Sequence, residues 1–384
     1  LKSSAIEARE IRVSAAGTAA LPNPFPLWRG DALPDAVVAY ESWGQLNADR
    51  SNAILLFTGL SPSAHAASNS ENPDPGWWEK MIGPGRAIDT DRWFVLCVNS
   101  LGSCFGSTGP ASINPETGKA WRLEFPEIAV EDIARAGWEA ARSLGIEKLD
   151  TVMGPSLGGM VVCAFAACMP GKARRFVSIS GSSAASPFAI ALRSVQREAV
   201  MTDPDWRNGQ YPSTLQGPRA GMRIARKLGT ITYRSAEEWL NRFARSGLSE
   251  QGMRAVQNAK GRVPESFSPR FAIEGYLEAQ AERFVRIFDP NCYLYLSRAM
   301  DCFDLAAHGA PTEVFARAGF ESALVIGVET DFLFAIGEQA TIADSLQRGG
   351  ISTEFARLPC VEGHDAFLVD LPRFDAAIRG FLNR

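Results

Sequence analysis

No stretch of the sequence approaches the roughly 20 consecutive apolar residues that a membrane-spanning helix needs, so the chain is expected not to cross a bilayer. Residues 1–17 (LKSSAIEAREIRVSAAG) lack a charged-then-apolar signal layout, and the expectation is a protein that is neither secreted nor membrane-embedded. Charge of one sign is lacking too. Lys and Arg number 39 against 43 Asp and Glu, a formal charge of −4 without long single-sign runs, so the electrostatic footprint of a nucleic-acid binder is missing. The seven cysteines (97, 104, 163, 168, 292, 302 and 360) are odd in number, scattered, and include no C-x-x-C pair. That argues against a disulfide framework and a zinc site, and makes a reducing cytoplasm the expected location. Internal repeats and low-complexity tracts are also missing. What remains is 384 residues with 46% hydrophobic and 21% charged content, enough to bury a large core in one or two domains.

Short apolar or β-branched runs bounded by Gly, Pro and Asn predict strands at 35–41 (DAVVAYE), 52–58 (NAILLFT), 93–99 (WFVLCVN), 149–153 (LDTVM) and 175–179 (RFVSI). Apolar spacings of three and four predict a helix over 127–144, stopped at Gly145, and a second helical run at 157–168. Strand alternating with helix implies an α/β fold, a mostly parallel sheet covered on both faces. Between 184 and 300 the pattern becomes helical, with loops at 203–218 and 260–270. The βα alternation resumes with a strand at 322–327, a helix at 337–348, a strand at 352–358 and a closing helix at 371–382. The expected organisation is a core of residues 1–183 and 301–384, interrupted by a helical insertion at 184–300.

Gly154-Pro155-Ser156-Leu157-Gly158 is a G-x-S-x-G motif between a predicted strand and a predicted helix, the context of a nucleophile elbow. The turn is tight enough that a side chain at either glycine would collide with its neighbours. Ser156 is then exposed at a helix N-terminus, and the Leu157 N–H can face a developing oxyanion. A serine hydroxyl needs a base. His364 follows the last predicted strand, and Asp331 follows the strand at 322–327, at the carboxyl end where functional loops collect. The order Ser, Asp, His is the one an α/β-hydrolase fold uses. The loop after 52–58 should supply a second oxyanion donor, the Leu60 N–H. His65, in that loop, is expected to brace it, and His308, beside Gly309 and Pro311, to lie in a surface loop. Asp365 reads either as a helix N-cap or as a carboxylate able to hold an ammonium group. Arg226, among Arg and Lys neighbours, reads from pattern alone as solvated.

Several segments together resemble the homoserine O-acetyltransferase family of α/β-hydrolase-fold acyltransferases, including its serine O-succinyltransferase branch. They include AYESWGQLN (39–47), GLSPSAHAAS (59–68), residues 77–115, GPSLGGM (154–160), ARKLGTITYRS (225–235), FDPNCYLYLSRAMD (288–301), VETDFLF (328–334) and GHDAFL (363–368). The resemblance spans nearly the whole chain. It implies ping-pong transfer of an acyl group from acyl-CoA, a co-substrate and the only cofactor-like molecule, through Ser156 to the side-chain hydroxyl of L-serine or L-homoserine. It also implies that Arg226 binds the amino acid's carboxylate and Asp365 its ammonium, and that the insertion forms a lid and a homodimer contact. No metal is implied. The chain departs from acetylating members at Ser61-Pro62-Ser63, and from succinylating homoserine enzymes at Phe332-Leu333-Phe334. SPFAIALRSVQREA (186–199) is most similar to the serine-succinylating branch. In that run a predicted helix places Arg193 and Arg197 four residues apart on one face, and Arg193 is expected to read the distal carboxylate of succinyl-CoA. Cysteine biosynthesis is the implied context. The alternatives are a homoserine or serine O-acetyltransferase using acetyl-CoA and, more distantly, a serine hydrolase using water.

Overall fold

In a computed structural model, which describes residues 15–250, 252–254, 256 and 264–384, the strand-forming runs assemble into an eight-stranded sheet. Its strands are β1 (Ala16–Ala20), β2 (Val37–Trp43), β3 (Ala53–Phe57), β4 (Phe94–Val98), β5 (Leu149–Pro155), β6 (Ala173–Ile179), β7 (Ser322–Val328) and β8 (Ser352–Leu358). Their spatial order is β1-β2-β4-β3-β5-β6-β7-β8. β1 and β4 flank β2 antiparallel, pairing Ala16 with Glu41 and Tyr40 with Val98; every pairing from β4 to β8 is parallel. The chemistry of the strands explains the layout. β3 (AILLF) and β4 (FVLCV) are apolar throughout and fully buried, as strands covered on both faces must be. The edge strand β8 (STEFARL) has no fully buried residue, and Ser352 and Arg357 are exposed.

β2 begins two residues later than its apolar run because Asp35 turns the chain with φ 47°. The first helix, α1 (Val130–Ser143), starts three residues later than its periodicity. There the Asp132 carboxylate accepts the Ala129 N–H (2.9 Å) and the Trp28 N–H (2.7 Å), which closes the N-terminus. α1 ends before Gly145, whose φ of 75° supplies the expected left-handed turn. α2 (Leu157–Cys168) and α1 cover one face of the sheet, where Leu55, Leu157, Val161 and Phe176 are fully buried. The opposite face buries Ile54, Leu56, Val177 and Trp78, and the Trp78 indole donates to the Phe367 carbonyl at 2.9 Å.

Between β6 and β7 the chain is helical: α3 (Pro187–Met201), α4 (Arg219–Thr232), α5 (Ala236–Phe243), α6 (Ala272–Ile287), α7 (Pro290–Asp301) and α8 (Pro311–Ala318). α3 packs on α4 and α7, and α4 on α6. The last contact is laced by ion pairs from Arg219 to Glu282 (2.9 Å) and Lys227 to Glu278 (2.5 Å). The predicted loop at 203–218 contains two 3-10 turns, Pro204–Gly209 and Thr214–Gln216; the one at 260–270 lies partly outside the described residues, as do residues 1–14. After β7 come α9 (Ile336–Arg348) and, beyond β8, the short α10 (Ala366–Val369) and the closing α11 (Leu371–Leu382). β1 and α8 escaped the sequence reading, β1 because AGTAA is built of small residues with little strand preference.

His308 is not the surface-loop residue expected. Its side chain is 8% exposed, its Nε2 lies 2.9 Å from Glu131, and its ring lies against Trp28 with 4.7 Å between centroids. Gly309 and Pro311 turn the chain, but the turn folds inward onto α1.

Candidate active site

β5 runs into α2 through a turn that forces Ser156 to φ 56° and ψ −119°, a conformation costly for a residue with a Cβ. The flanking glycines have no room for one. A Cβ on Gly154 would sit 2.5 Å from the Gly158 carbonyl carbon, and one on Gly158 would sit 2.5 Å from the Phe57 carbonyl oxygen. The strain is held by burial of β5 and of the first turn of α2, and it leaves Ser156 partly accessible at the helix N-terminus.

The loops after β7 and β8 carry the other two predicted residues to the serine. Ser156 Oγ lies 2.8 Å from His364 Nε2, and His364 Nδ1 lies 2.7 Å from Asp331 Oδ2. The neutral tautomer that satisfies both contacts carries its proton on Nδ1, donates to Asp331 and accepts from the serine hydroxyl. Asp331 is itself fixed, since its Oδ1 accepts the N–H groups of Leu333 (3.0 Å) and Phe334 (2.9 Å). His364 is 3% exposed and stacks on Phe334 with 4.9 Å between centroids. Burial disfavours the imidazolium, but the Asp331 charge and hydrogen bond, with Asp365 and Glu338 behind them, outweigh it and raise the His364 pKa above its ordinary value. This line of groups can take a proton from Ser156 and hold it.

Leu157 is the first residue of α2, where an N–H has no intrahelical partner. The Gly59-Leu60 loop reaches the same place: a Cβ on Gly59 would lie 3.9 Å from that of Ser156, and Leu60 lines the cavity above the serine. That cavity is narrow, with about 30 Å³ of room for water-sized molecules, and is also lined by Arg193, Gln196, Tyr233, Tyr293, Ser297 and Phe334. A wider surface cleft around Trp43, Glu79 and Arg86 shares no lining residue with it.

Arg193 and Ser156 thus line the same cavity, but Arg193 is not alone there. Its Nε lies 2.5 Å from Asp301, whose other oxygen is 2.6 Å from Arg197, and Arg197 also donates to Ser297 at 2.9 Å. The Nη2 of Arg193 is buried without a hydrogen-bond partner. Asp301 was missed in the sequence, although Ser297 and Asp301, four apart on α7, form the complement of Arg193 and Arg197, four apart on α3.

Arg226, which by pattern alone looked solvated, is half-buried between the Phe284 (4.6 Å) and Tyr233 (5.7 Å) rings. Its Nη1 donates to Ser61 at 3.0 Å, its Nε is buried without a partner, and no ion pair holds it among the described residues. Asp365 occupies the N-cap position of α10, but its side chain makes no capping bond; it accepts from Arg234 Nε at 3.2 Å instead. His65 braces its loop. One ring nitrogen lies 2.7 Å from Glu41 and the other 2.7 Å from the Asp74 carbonyl, and these contacts raise the His65 pKa against the opposing effect of burial. Among the described residues, Cys360, Glu362 and Asp370 bring possible metal-ligating atoms within 4.8 Å of one another, but Asp370 is already paired with Arg373. No described helix is long and apolar enough to cross a membrane.

The strand order, the elbow and the hydrogen-bonded serine, histidine and aspartate define a hydrolase-type α/β scaffold, and the profile of the alpha/beta hydrolase fold matches residues 52–368. The serine O-succinyltransferase of Stenotrophomonas maltophilia strain K279a is 56% identical over 366 residues, covering 95% of this chain and 96% of that one. Among solved structures, a homoserine O-acetyltransferase from Bacillus anthracis superposes with a TM-score of 0.85 at 26% identity, covering 96% of this chain and 97% of that one. An esterase superposes at 0.82 with 28% identity, covering 96% and 99%. The chain therefore belongs to the α/β-hydrolase-fold acyltransferases, in the family of the serine O-succinyltransferases.

Proposed function

We propose that the chain is an L-serine O-succinyltransferase of cysteine biosynthesis, working by a ping-pong mechanism through an acyl-Ser156 intermediate. His364 takes the Ser156 proton as Oγ attacks the thioester carbonyl of succinyl-CoA. The oxyanion that forms accepts hydrogen bonds from the Leu157 and Leu60 N–H groups, fixed before the charge develops. Collapse expels the CoA thiolate, which recovers the proton from His364. The hydroxyl of L-serine, deprotonated in turn by His364, then attacks the acyl-enzyme and regenerates Ser156. Asp331 holds the imidazole in its tautomer and stabilises the imidazolium without itself taking the proton.

Arg226 binds the carboxylate of the acceptor. The support is its half-buried guanidinium, which makes no ion pair among the described residues and lies next to the Ser61 that follows the oxyanion loop. Asp365 binds the ammonium with the oxygen that Arg234 leaves free. The α3–α7 region acts as a lid, and the enzyme is a soluble, cytoplasmic homodimer joined through this helical segment, where Ile224, Ile231 and Leu240 are exposed.

The observation that carries the choice of donor is the surplus positive charge beside Ser156, two guanidinium groups on one carboxylate with one nitrogen unpartnered. An acetyl group has no use for it; a succinyl carboxylate does. Serine and homoserine offered to the purified enzyme against succinyl-CoA and acetyl-CoA, with free CoA measured, test the proposal. Serine with succinyl-CoA should be fastest. A preference for acetyl-CoA would favour the acetyltransferase reading, which the likeness to the Bacillus anthracis structure keeps open. CoA release independent of any amino acid would favour a hydrolase, as the esterase superposition allows.

A further inference from the structure

Beyond the rung at which the Glu329 N–H donates to the Leu358 carbonyl at 3.0 Å, β7 and β8 give way to loops of unequal length. Asp331 is reached over residues 329–331, His364 over residues 359–364. The longer path must fold back for the two side chains to meet. It does so in the bend over residues 360–363.

Thr330, partly buried beside Asp331, joins the ends of that bend. Its hydroxyl donates to the Cys360 carbonyl at 2.7 Å and accepts the Gly363 N–H at 3.1 Å. A hydroxyl has one proton to give and lone pairs to receive, so one side chain serves both backbone groups. These are the groups that a four-residue β-turn would join directly. Cys360 and Gly363 are buried, where a backbone group without a partner is costly. Gly363 has little other freedom, since its φ is 68° and a Cβ there would lie 2.8 Å from the Ser235 nitrogen. Thr330 precedes Asp331 and Gly363 precedes His364, so one hydroxyl links the backbone of the acid to that of the base.

We infer that Thr330 is a positioning residue of the triad, its hydroxyl setting the separation of the Asp331 and His364 loops and so aligning the imidazole between Asp331 and Ser156. The inference rests on His364 acting as the base for Ser156, as in the proposed function, and not on which donor or acceptor is used. Without the hydroxyl the Cys360 carbonyl takes the Gly363 N–H itself, and the bend draws His364 from its contacts at 2.7 Å and 2.8 Å. Thr330 does not line the cavity over Ser156, so it acts through His364. Burial lowers the His364 pKa, and Asp331, ahead of Asp365 and Glu338, raises it above its ordinary value; Tyr233 lies 5.9 Å from the ring, and Arg193 lines the same cavity as Ser156. Loosening the Asp331 contact therefore moves the value down.

The test follows the rate at which a fluorophosphonate labels Ser156, as a function of pH, in the natural chain, in Thr330→Val and in Thr330→Ser, with a thermal melt of each. Labelling needs the serine and its base but no acyl-CoA or amino acid, so a wrong choice of substrates leaves it untouched. Thr330→Val keeps the shape of the side chain and loses the hydroxyl. Its labelling should fall roughly tenfold to hundredfold, the scale on which a misplaced catalytic group acts, and its acid limb should move to lower pH. Thr330→Ser keeps the hydroxyl and should restore both rate and limb. Should Thr330→Val not fold, Thr330→Ala makes the same comparison. The inference is overturned if the variant without the hydroxyl labels like the natural chain, or if its acid limb stays in place while only Tm falls. It is equally overturned if Thr330→Ser is as slow as Thr330→Val. A natural chain that does not label at all would instead remove the nucleophilic serine on which the inference stands.

Discussion

Replacing Arg193 by leucine isolates charge recognition from everything else the cavity does. Arg193 and Arg197 share Asp301, and the three side chains are 6%, 12% and 2% exposed. The cluster carries one surplus positive charge in a desolvated place. Arg193→Leu removes that surplus and leaves Arg197 and Asp301 as a matched pair. The loss of stability should therefore fall short of the about 3–5 kcal/mol that follows when one partner of a buried pair is stranded. Function should suffer selectively. A lost charge-assisted bond to a carboxylate is worth about 1.5–3 kcal/mol, and at about 1.4 kcal/mol per decade this gives a roughly tenfold to hundredfold fall in kcat/KM with succinyl-CoA. Acetyl-CoA, which brings no charge, should be used as well as before or better. The assay is CoA release with saturating serine and each donor in turn, alongside a thermal melt. Arg197→Leu serves as the control, because Arg197 is engaged by Ser297 and Asp301 and does not line the cavity. Equal losses with both donors would make Arg193 a structural residue and refute the reasoning.

Ser156→Ala should abolish acyl transfer and covalent labelling by a fluorophosphonate together, since no other hydroxyl occupies the strained turn; residual acyl-enzyme in an intact-mass measurement would contradict this. Arg226→Ala should weaken amino-acid use while the burst of acylation by acyl-CoA survives, and a burst that falls as far as turnover would remove Arg226 from the acceptor site. Acylation needs neutral His364, whose pKa is raised, so the rate should fall as pH drops through a value above 6.5. Asp331→Asn removes the main group raising that value and should move this limb to lower pH, besides lowering the rate, in a pH profile of kcat/KM. The His65 pKa is raised even though burial, the largest influence, opposes it; the Glu41 and Asp74 hydrogen bonds prevail. The stabilising effect of His65 should be fully present below about pH 6.5, the unfolded value, and be lost as pH rises through the folded one. The Tm difference between the natural chain and His65→Gln should therefore shrink from about pH 6 to about pH 9, and a constant difference would count against it.

The parts of the site legible in the sequence are those fixed by local geometry. Ser156 was readable because a turn this tight admits only glycine at 154 and 158, and the collisions at 2.5 Å show the constraint acting over five residues. His364 and Asp331 were readable because they follow strand ends in a fixed order, and a parallel sheet delivers all its strand ends to one edge. Nothing comparable governs a side chain whose partner arrives from another helix. Arg193, Arg226 and Asp365 could be nominated, but their surroundings depend on how α3, α4 and α7 pack against one another and onto the loop that carries His364. The Arg234 contact to Asp365 joins residues 131 apart, and the Asp301 contact to Arg193 spans 108. His308 shows the same limit in reverse: glycine and proline marked a turn correctly, but a turn does not say whether the chain folds outward or back onto a buried glutamate. Charge counting across packed helices supplies what spacing cannot. Asp301 meets both arginines of α3, and Glu338 also acts electrostatically on Arg193. In the proposed function an anionic acyl group meets this cluster, and the donor comparison with Arg193→Leu decides between that role and a purely structural one.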